Sequence, residues 1–248
     1  MQAILRSRWA LWVGVGLVAA GIAAALIAVS VSGSSDSKAA ATPARPVESN
    51  TAAPKASGAA ETIALFKGIP QQLNVLGKAS APVTMVEFAD IQCPYCHHYA
   101  ADALPALVDQ YVRTGKAKFV FSGMHFLGPD SEKALRAVYA AGLQGRLWQY
   151  LDLLYKNQGG ENEGWVTDNL LRSAGDSLPG FDTEKMLVDM NSDQVTNALA
   201  VADQQAQSAG VNQTPTFFAG RTGETLEHVN VSSLTPDGFQ PTLDSLTK

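Results

Sequence analysis

Cysteine is nearly absent: the 248-residue chain has two, Cys93 and Cys96, with two residues between them. No third cysteine exists to staple loops together. Whatever these thiols do, they do with each other, with a metal or haem, or with another molecule. A basic excess is also lacking. The chain has 18 Lys and Arg against 23 Asp and Glu, a net charge of −5. That leaves little to neutralise phosphates and argues against nucleic acid as a partner. Mild acidity suits a soluble domain that stays monomeric. No internal repeat is found. What is present is an ordinary globular balance, 46% hydrophobic and 17% charged, sufficient for a sizeable core in one large domain or two small ones.

Long apolar runs are confined to the N-terminus. Arg6 and Arg8 precede a run from Trp9 to Val31 that is broken only by small residues such as Gly14, Gly16, Gly21 and Ser30. The run is long enough to span a hydrocarbon core as a helix. Arginines before it belong on the cytoplasmic side. Residues 1–32 are therefore expected to form a single-pass membrane anchor with the rest of the chain on the extracytoplasmic side. A cleaved signal peptide, with Ala28-Val29-Ser30 as the cleavage site, is the competing reading and would make the protein secreted. Both place the cysteines where disulfides persist. Residues 33–60 are small, polar and proline-rich and read as a disordered tether. The folded domain is expected over 61–248.

Within that domain, Val83-Thr84-Met85-Val86-Glu87-Phe88 is apolar on both faces, the pattern of a central strand. From Ile91 to Gln110 the period becomes helical, with Pro105 expected to kink or break the helix. Lys118–Ser122 reads as a second strand. A mainly helical stretch follows over about 131–209. A long helix begins at Ser131 and ends at Gly159-Gly160, and shorter ones cover Trp165–Ala174, Asp182–Met190 and Asp193–Ala209. Strand returns at Thr216–Ala219, a turn follows at 220–223, Glu224–Val229 is its expected partner, and Leu234–Leu246 is a last helix. The strand-helix-strand unit puts Cys93 where the first strand ends and the helix begins.

That position gives the pair its chemistry. A thiol attacks a disulfide only as thiolate. Free N–H groups and the dipole at a helix start favour negative charge, which makes Cys93 both a nucleophile and a leaving group. Cys96 lies one turn on, close enough to form a disulfide, so the pair can cycle through a mixed disulfide on Cys93. Pro94 and Tyr95 shape the turn. His97 and His98, in the first turn, would support the thiolate if protonated. Three other readings compete. Cys93-Pro-Tyr-Cys96-His97 satisfies the c-type haem attachment pattern, which would make an electron-transfer protein. Zinc held by the cysteines and histidines fits no common finger spacing. A structural disulfide closing so short a loop would stabilise weakly. No cofactor and no metal is expected.

Two segments, 86–96 (VEFADIQCPYC) and 210–218 (GVNQTPTFF), separated by a helical block that includes 140–148 (AAGLQGRLW), resemble the thioredoxin-fold DsbA family of exported thiol-disulfide oxidoreductases. The resemblance runs from about residue 61 to the end. It implies a thioredoxin-like α/β fold with a helical insertion. Cys93 would be the exposed nucleophile and Cys96 the buried resolving cysteine. Pro215 would be a cis-proline facing the pair, with the backbone of Thr214, together with Pro94 and Tyr95, meeting substrate. Glu87 matches the family's buried acid and would accept the proton of Cys96; an ion pair with Lys116 or Lys118 is its other reading. The implied substrates are reduced or misoxidised exported proteins. The implied reoxidant is a membrane partner resembling DsbB or vitamin K epoxide reductase. The tether and anchor depart from the soluble members. Tyr95 stands where the best-known oxidant has histidine, which implies a less oxidising pair. Thr214 occurs in isomerase-like as well as oxidase-like relatives, so an isomerase or reductase on the same chemistry remains the alternative, and a redox-inert thioredoxin-like binding module is another.

Overall fold

In the computed structural model, which describes residues 55–248, strand β3 (Val83–Asp90) is the axis of the molecule. Val83, Met85, Glu87 and Ala89 are buried on one face and Phe88 and Asp90 on the other, with Thr84 and Val86 half-buried, so the strand lies inside a sheet. It pairs in parallel with β4 (Ala117–Met124) and antiparallel with β5 (Thr216–Arg221). A short hairpin, β1 (Gln71–Gln72) and β2 (Val75–Leu76), extends the β4 edge, and β6 (Glu227–His228) extends the β5 edge. The order is β1-β2-β4-β3-β5-β6. Parallel β3 and β4 need a crossover, supplied by α2, a continuous helical segment over 94–112.

Helix α2 contains two widened π-turns, Tyr99–Ala103 and Val108–Val112. The first lies immediately before Leu104–Leu107, which contains Pro105. Proline has no N–H and its ring crowds the carbonyl one turn back. The widened turn absorbs that misfit, and the expected break at Pro105 is instead a change of pitch.

The helical block comprises α3 (Pro129–Gly142), α4 (Leu147–Lys156), α5 (Asp168–Asp176), α6 (Thr183–Asp189) and α7 (Asp193–Ala209). Thr167, Asp182 and Ser192 cap the last three, each side chain accepting a backbone N–H of the first turn. The one long helix expected from Ser131 to Gly159 is two. It breaks over 143–146, where Gly145 sits at φ +67. The cause is tertiary: the β1–β2 hairpin lies against the break, where Trp148 Nε1 donates to the Asn74 carbonyl and Gln71 bonds Gln149. A 3₁₀ turn at Pro236–Gly238 precedes α8 (Gln240–Leu246), so the last helix starts six residues later than expected. The expected strand 224–229 pairs only at Glu227 and His228.

One face of the sheet carries Glu87 in register with Phe121 and Phe217. Phe217 packs on Tyr99 of α2 and on Phe239 at the start of α8; Phe121 packs on Tyr139 and Trp148 of α3 and α4. The opposite face carries Phe88, Phe218 and Ser122, the last bonded to Gln205 of α7.

The expected anchor, 1–32, lies outside the described residues, as does the tether up to residue 54. Among the described residues no helix is long and apolar enough to cross a membrane. The far end of the expected tether is structured. Ala56 is buried and its N–H donates to Ser177, Ser57 exchanges two hydrogen bonds with Asn157, and α1 (Ala59–Phe66) is already helical before residue 61. Small residues gave no apolar pattern to announce this docking, which rests on backbone hydrogen bonds.

Candidate active site

Cys93 caps α2. Its own φ and ψ are extended (−70°, 121°), Pro94 occupies the first helical position, and its carbonyl accepts the His97 N–H. Proline fits there because that N–H would have no helical partner. The two sulfurs are unequal. Cys93, the expected exposed nucleophile, is itself buried and keeps only 5% exposure, whereas Cys96, one turn in, is fully enclosed. Both are free thiols. As a thiol, Cys93 donates to the Thr214 carbonyl at 3.4 Å.

The Cys93 thiol is lowered to about 6. Its strongest support as thiolate is the Cys96 thiol, which donates to it, opposed by the cost of burial. The Thr214 side chain and the backbone N–H groups of Cys96 and Tyr95 add to the support. The last two are the exposed donors of the helix start, as expected of that position. His97 and His98 are not among the groups that lower Cys93. Burial pushes Cys96 well above its ordinary value, and its role as donor to Cys93 and the charge of Glu87 push it further. One cysteine is built to carry charge and the other to keep its proton.

Glu87 is buried beneath the pair. Neither Lys116 nor Lys118 reaches it. Lys118 donates to the Ala79 carbonyl and aligns with Thr84, three residues along the strand, so the ion-pair reading is overturned. Glu87 is raised to about 8, by burial first and by the charge of Cys93 second. Its Oε1 has no hydrogen-bond partner, and neither has the buried hydroxyl of Tyr99. A carboxyl so placed exists mainly as the neutral acid at pH 7.

Thr214 and Pro215 approach the pair from the loop before β5, and their peptide bond is cis. Tyr95 projects outward, 62% exposed, beside the Cys93 opening. The structure thus brings six of the seven sequence-identified residues, Cys93, Pro94, Tyr95, Cys96, Thr214 and Pro215, to one end of the sheet, with Glu87 below.

A second set of residues was not recognised from sequence. Asp90 ends β3 fully buried and is raised by burial. It accepts from the Ser131 hydroxyl at 2.6 Å and from the backbone N–H of Gln92 and Leu127. Gln92 donates to Ser131 and to Asn162 and accepts the Asn162 N–H. The one available signal was a polar pair, Asp90 and Gln92, at the end of an apolar strand. Their partners lie too far along the chain to be paired by inspection.

The arrangement does not fit a c-type haem. Thioether attachment requires both sulfurs to reach one porphyrin edge, and Cys96 is fully enclosed in the core. Among the described residues no cluster of metal-ligating side chains occurs.

Comparison with known proteins agrees with the geometry. Residues 71–244 match the thioredoxin family model. A probable disulfide bond formation protein D of Bacillus cereus is 33% identical over 146 residues, spanning 58% of this chain and 68% of that protein. The oxidised BdbD structure from Bacillus subtilis superposes with a TM-score of 0.61 at 23% identity, covering 72% of this chain and 97% of that one. A thioredoxin-like oxidoreductase from Silicibacter pomeroyi is 31% identical with a TM-score of 0.55, covering 74% and 95%. The chain belongs to the thioredoxin family and is a DsbA-like thiol-disulfide oxidoreductase.

Proposed function

We propose that the protein is an oxidase that donates a Cys93–Cys96 disulfide to cysteine pairs of exported proteins. The observation that carries this reading is the inequality of the two thiols, Cys93 lowered to about 6 and Cys96 raised well above its ordinary value. A stabilised Cys93 thiolate stabilises the reduced pair, and a stabilised reduced pair makes the disulfide a better electron acceptor.

A substrate thiolate attacks Cys93 of the disulfide; the Cys93–Cys96 bond breaks and a mixed disulfide forms. Cys96 leaves, and its high proton affinity requires an acid. Glu87, neutral at pH 7, supplies the proton in this direction and accepts it in the reverse one. The second substrate thiolate then attacks the substrate sulfur of the mixed disulfide and expels Cys93 as thiolate. Two electrons have passed to the pair, and the substrate holds the new disulfide. The returning charge on Cys93 raises Glu87 again, which favours its reprotonation. Thr214, Pro215, Pro94 and Tyr95 form the rim on which an extended substrate segment lies. Residues 1–32 hold the domain on the extracytoplasmic face of the membrane, and a membrane partner resembling DsbB or vitamin K epoxide reductase removes the electrons.

Cys93→Ser is expected to abolish oxidation of a reduced test protein, and Cys96→Ser to trap a mixed disulfide visible on a non-reducing gel. An unchanged oxidation rate in Cys93→Ser would sink the reading. The reductase or isomerase alternative draws on Tyr95, which supplies no charge to the thiolate. A dithiol reduction potential near that of thioredoxin would select a reductase, and one near glutathione or above selects an oxidase or an isomerase, of which the isomerase needs Cys93 held reduced.

A further inference from the structure

The backbone that presents Cys93 is held from the middle of the helical insertion, and Gln158 is its central tie. Gln158 follows α4. Its side-chain amide donates to the Ile91 carbonyl at 2.7 Å and to the Cys93 carbonyl at 3.3 Å. Less than one turn earlier, Tyr155 donates its hydroxyl to the Asp90 carbonyl, which also accepts the Cys93 N–H. The intervening residue, Gln92, is held through its side chain by Ser131 and Asn162. Every residue from Asp90 to Cys93 is therefore fixed by a group from the insertion.

The nucleophile's carbonyl needs this. The Cys93 carbonyl already accepts the His97 N–H as the first bond of α2. Two donors on one carbonyl hold its peptide plane, and that plane sets where Sγ lies relative to the N–H groups of Tyr95 and Cys96. The amide of Gln158 also brings the positive end of its dipole to the backbone beside a sulfur that carries negative charge. Remove it and the thiolate loses both orientation and field.

We propose that Gln158 is a positioning residue that tunes the Cys93–Cys96 couple, so that the insertion sets how oxidising the pair is. The proposal rests on the redox reading of the pair given above. It makes the helical block more than a cover for the sheet, because the redox property of residue 93 is in part decided 65 residues away.

The test compares Gln158→Ala, Gln158→Glu and Asn157→Ala in the otherwise intact protein. Asn157 is the neighbour whose bonds run to Ser57 and Leu153, away from the cysteines. The thiolate absorbance of Cys93 is titrated against pH, and the dithiol–disulfide equilibrium is measured in glutathione buffers at pH 7. Gln158→Ala removes both hydrogen bonds, and a share of them felt only by the thiolate, equal to one hydrogen bond of ordinary worth, shifts that equilibrium about fivefold toward the disulfide, with the thiolate titrating at higher pH. Gln158→Glu, nearly the same shape but with a charge facing the carbonyls, shifts it further in the same direction. Asn157→Ala leaves both readouts unchanged. A Gln158→Ala and a Gln158→Glu protein that both titrate and equilibrate like wild type overturn the proposal, while leaving the redox reading standing wherever Cys93→Ser is inactive.

Discussion

At the scale of the residue, the pair divides its labour by environment. Both cysteines share a motif and a helix, yet one is lowered and the other raised because one faces donors and the other faces the core. Glu87 takes its property from the same core. Its proton affinity in the unfolded chain is ordinary, near 4.5, and in the fold it is about 8. Below pH 4.5 both states are protonated and burial of the carboxyl costs nothing ionic. Between those values the unfolded chain sheds the proton and the fold keeps it, so stability falls as pH rises, and above 8 the loss is complete. Glu87→Gln removes that loss. Relative to wild type the variant is expected to gain roughly 3–5 kcal/mol between pH 4.5 and 8.5, read from urea midpoints across that range. A constant difference between the two proteins at all pH values would refute the assignment. The resemblance to the DsbA family is what marked Glu87, six residues before Cys93, as the buried acid. Its lack of a cation was not legible, because Lys118 aligns with Thr84 only once the strand register is known.

At the scale of the element, most helices and the principal strands were readable because each carries its period and caps within itself. Helix Asp193–Ala209 falls where the sequence placed it, with Ser192 as cap and Gly210 in the left-handed region beyond its end. The failures share a cause. The break between α3 and α4 interrupts an unbroken helical pattern because a hairpin from 70 residues earlier needs the space. Gly145 is the residue that permits the turn. Its φ of +67 disfavours any side chain, while the space around it is open enough for a methyl. Gly145→Ala is therefore expected to cost about 1 kcal/mol of backbone strain. Thermal unfolding should fall by about 2–4 °C, and an unchanged or higher midpoint would show that the break does not depend on this glycine. The π-turns of α2 were invisible for a different reason: Pro105 announces a defect in the hydrogen-bond ladder but not how the ladder will absorb it.

At the scale of the whole molecule, the boundary of the folded domain lies upstream of where composition ends the tether. Residues 55–60 contain little to bury, yet Ala56 and Ser57 bond Ser177 and Asn157, and Thr62 of α1 shares the buried Asp152 carboxylate with Lys156. A chain beginning at residue 55 should be more stable than one beginning at residue 61. The lost hydrogen bonds, three to Ser177 and Asn157 and one from the Thr62 N–H to the Gly58 carbonyl, are worth about 2–4 kcal/mol together, measurable by chemical unfolding. Equal stabilities would mean that the segment is not held in solution.

The sequence by itself determined the chemistry of this protein and its frame: two thiols one turn apart at a strand-helix junction, an acid in the strand beneath them, a Thr-Pro before the last main strand. These are local patterns, and local patterns survive in the sequence. Only the tertiary structure decided which donors and how much burial set the two sulfurs apart, the absence of a cation at Glu87 and the grip on residues 90–93, which Ser131, Tyr155, Gln158 and Asn162 supply from 39 to 70 residues away. Burial and hydrogen-bond partners are properties of what the chain brings alongside a residue. Cys93 and Cys96 have the same intrinsic acidity; what lies next to each in the fold makes one a leaving group and the other its proton-holding partner.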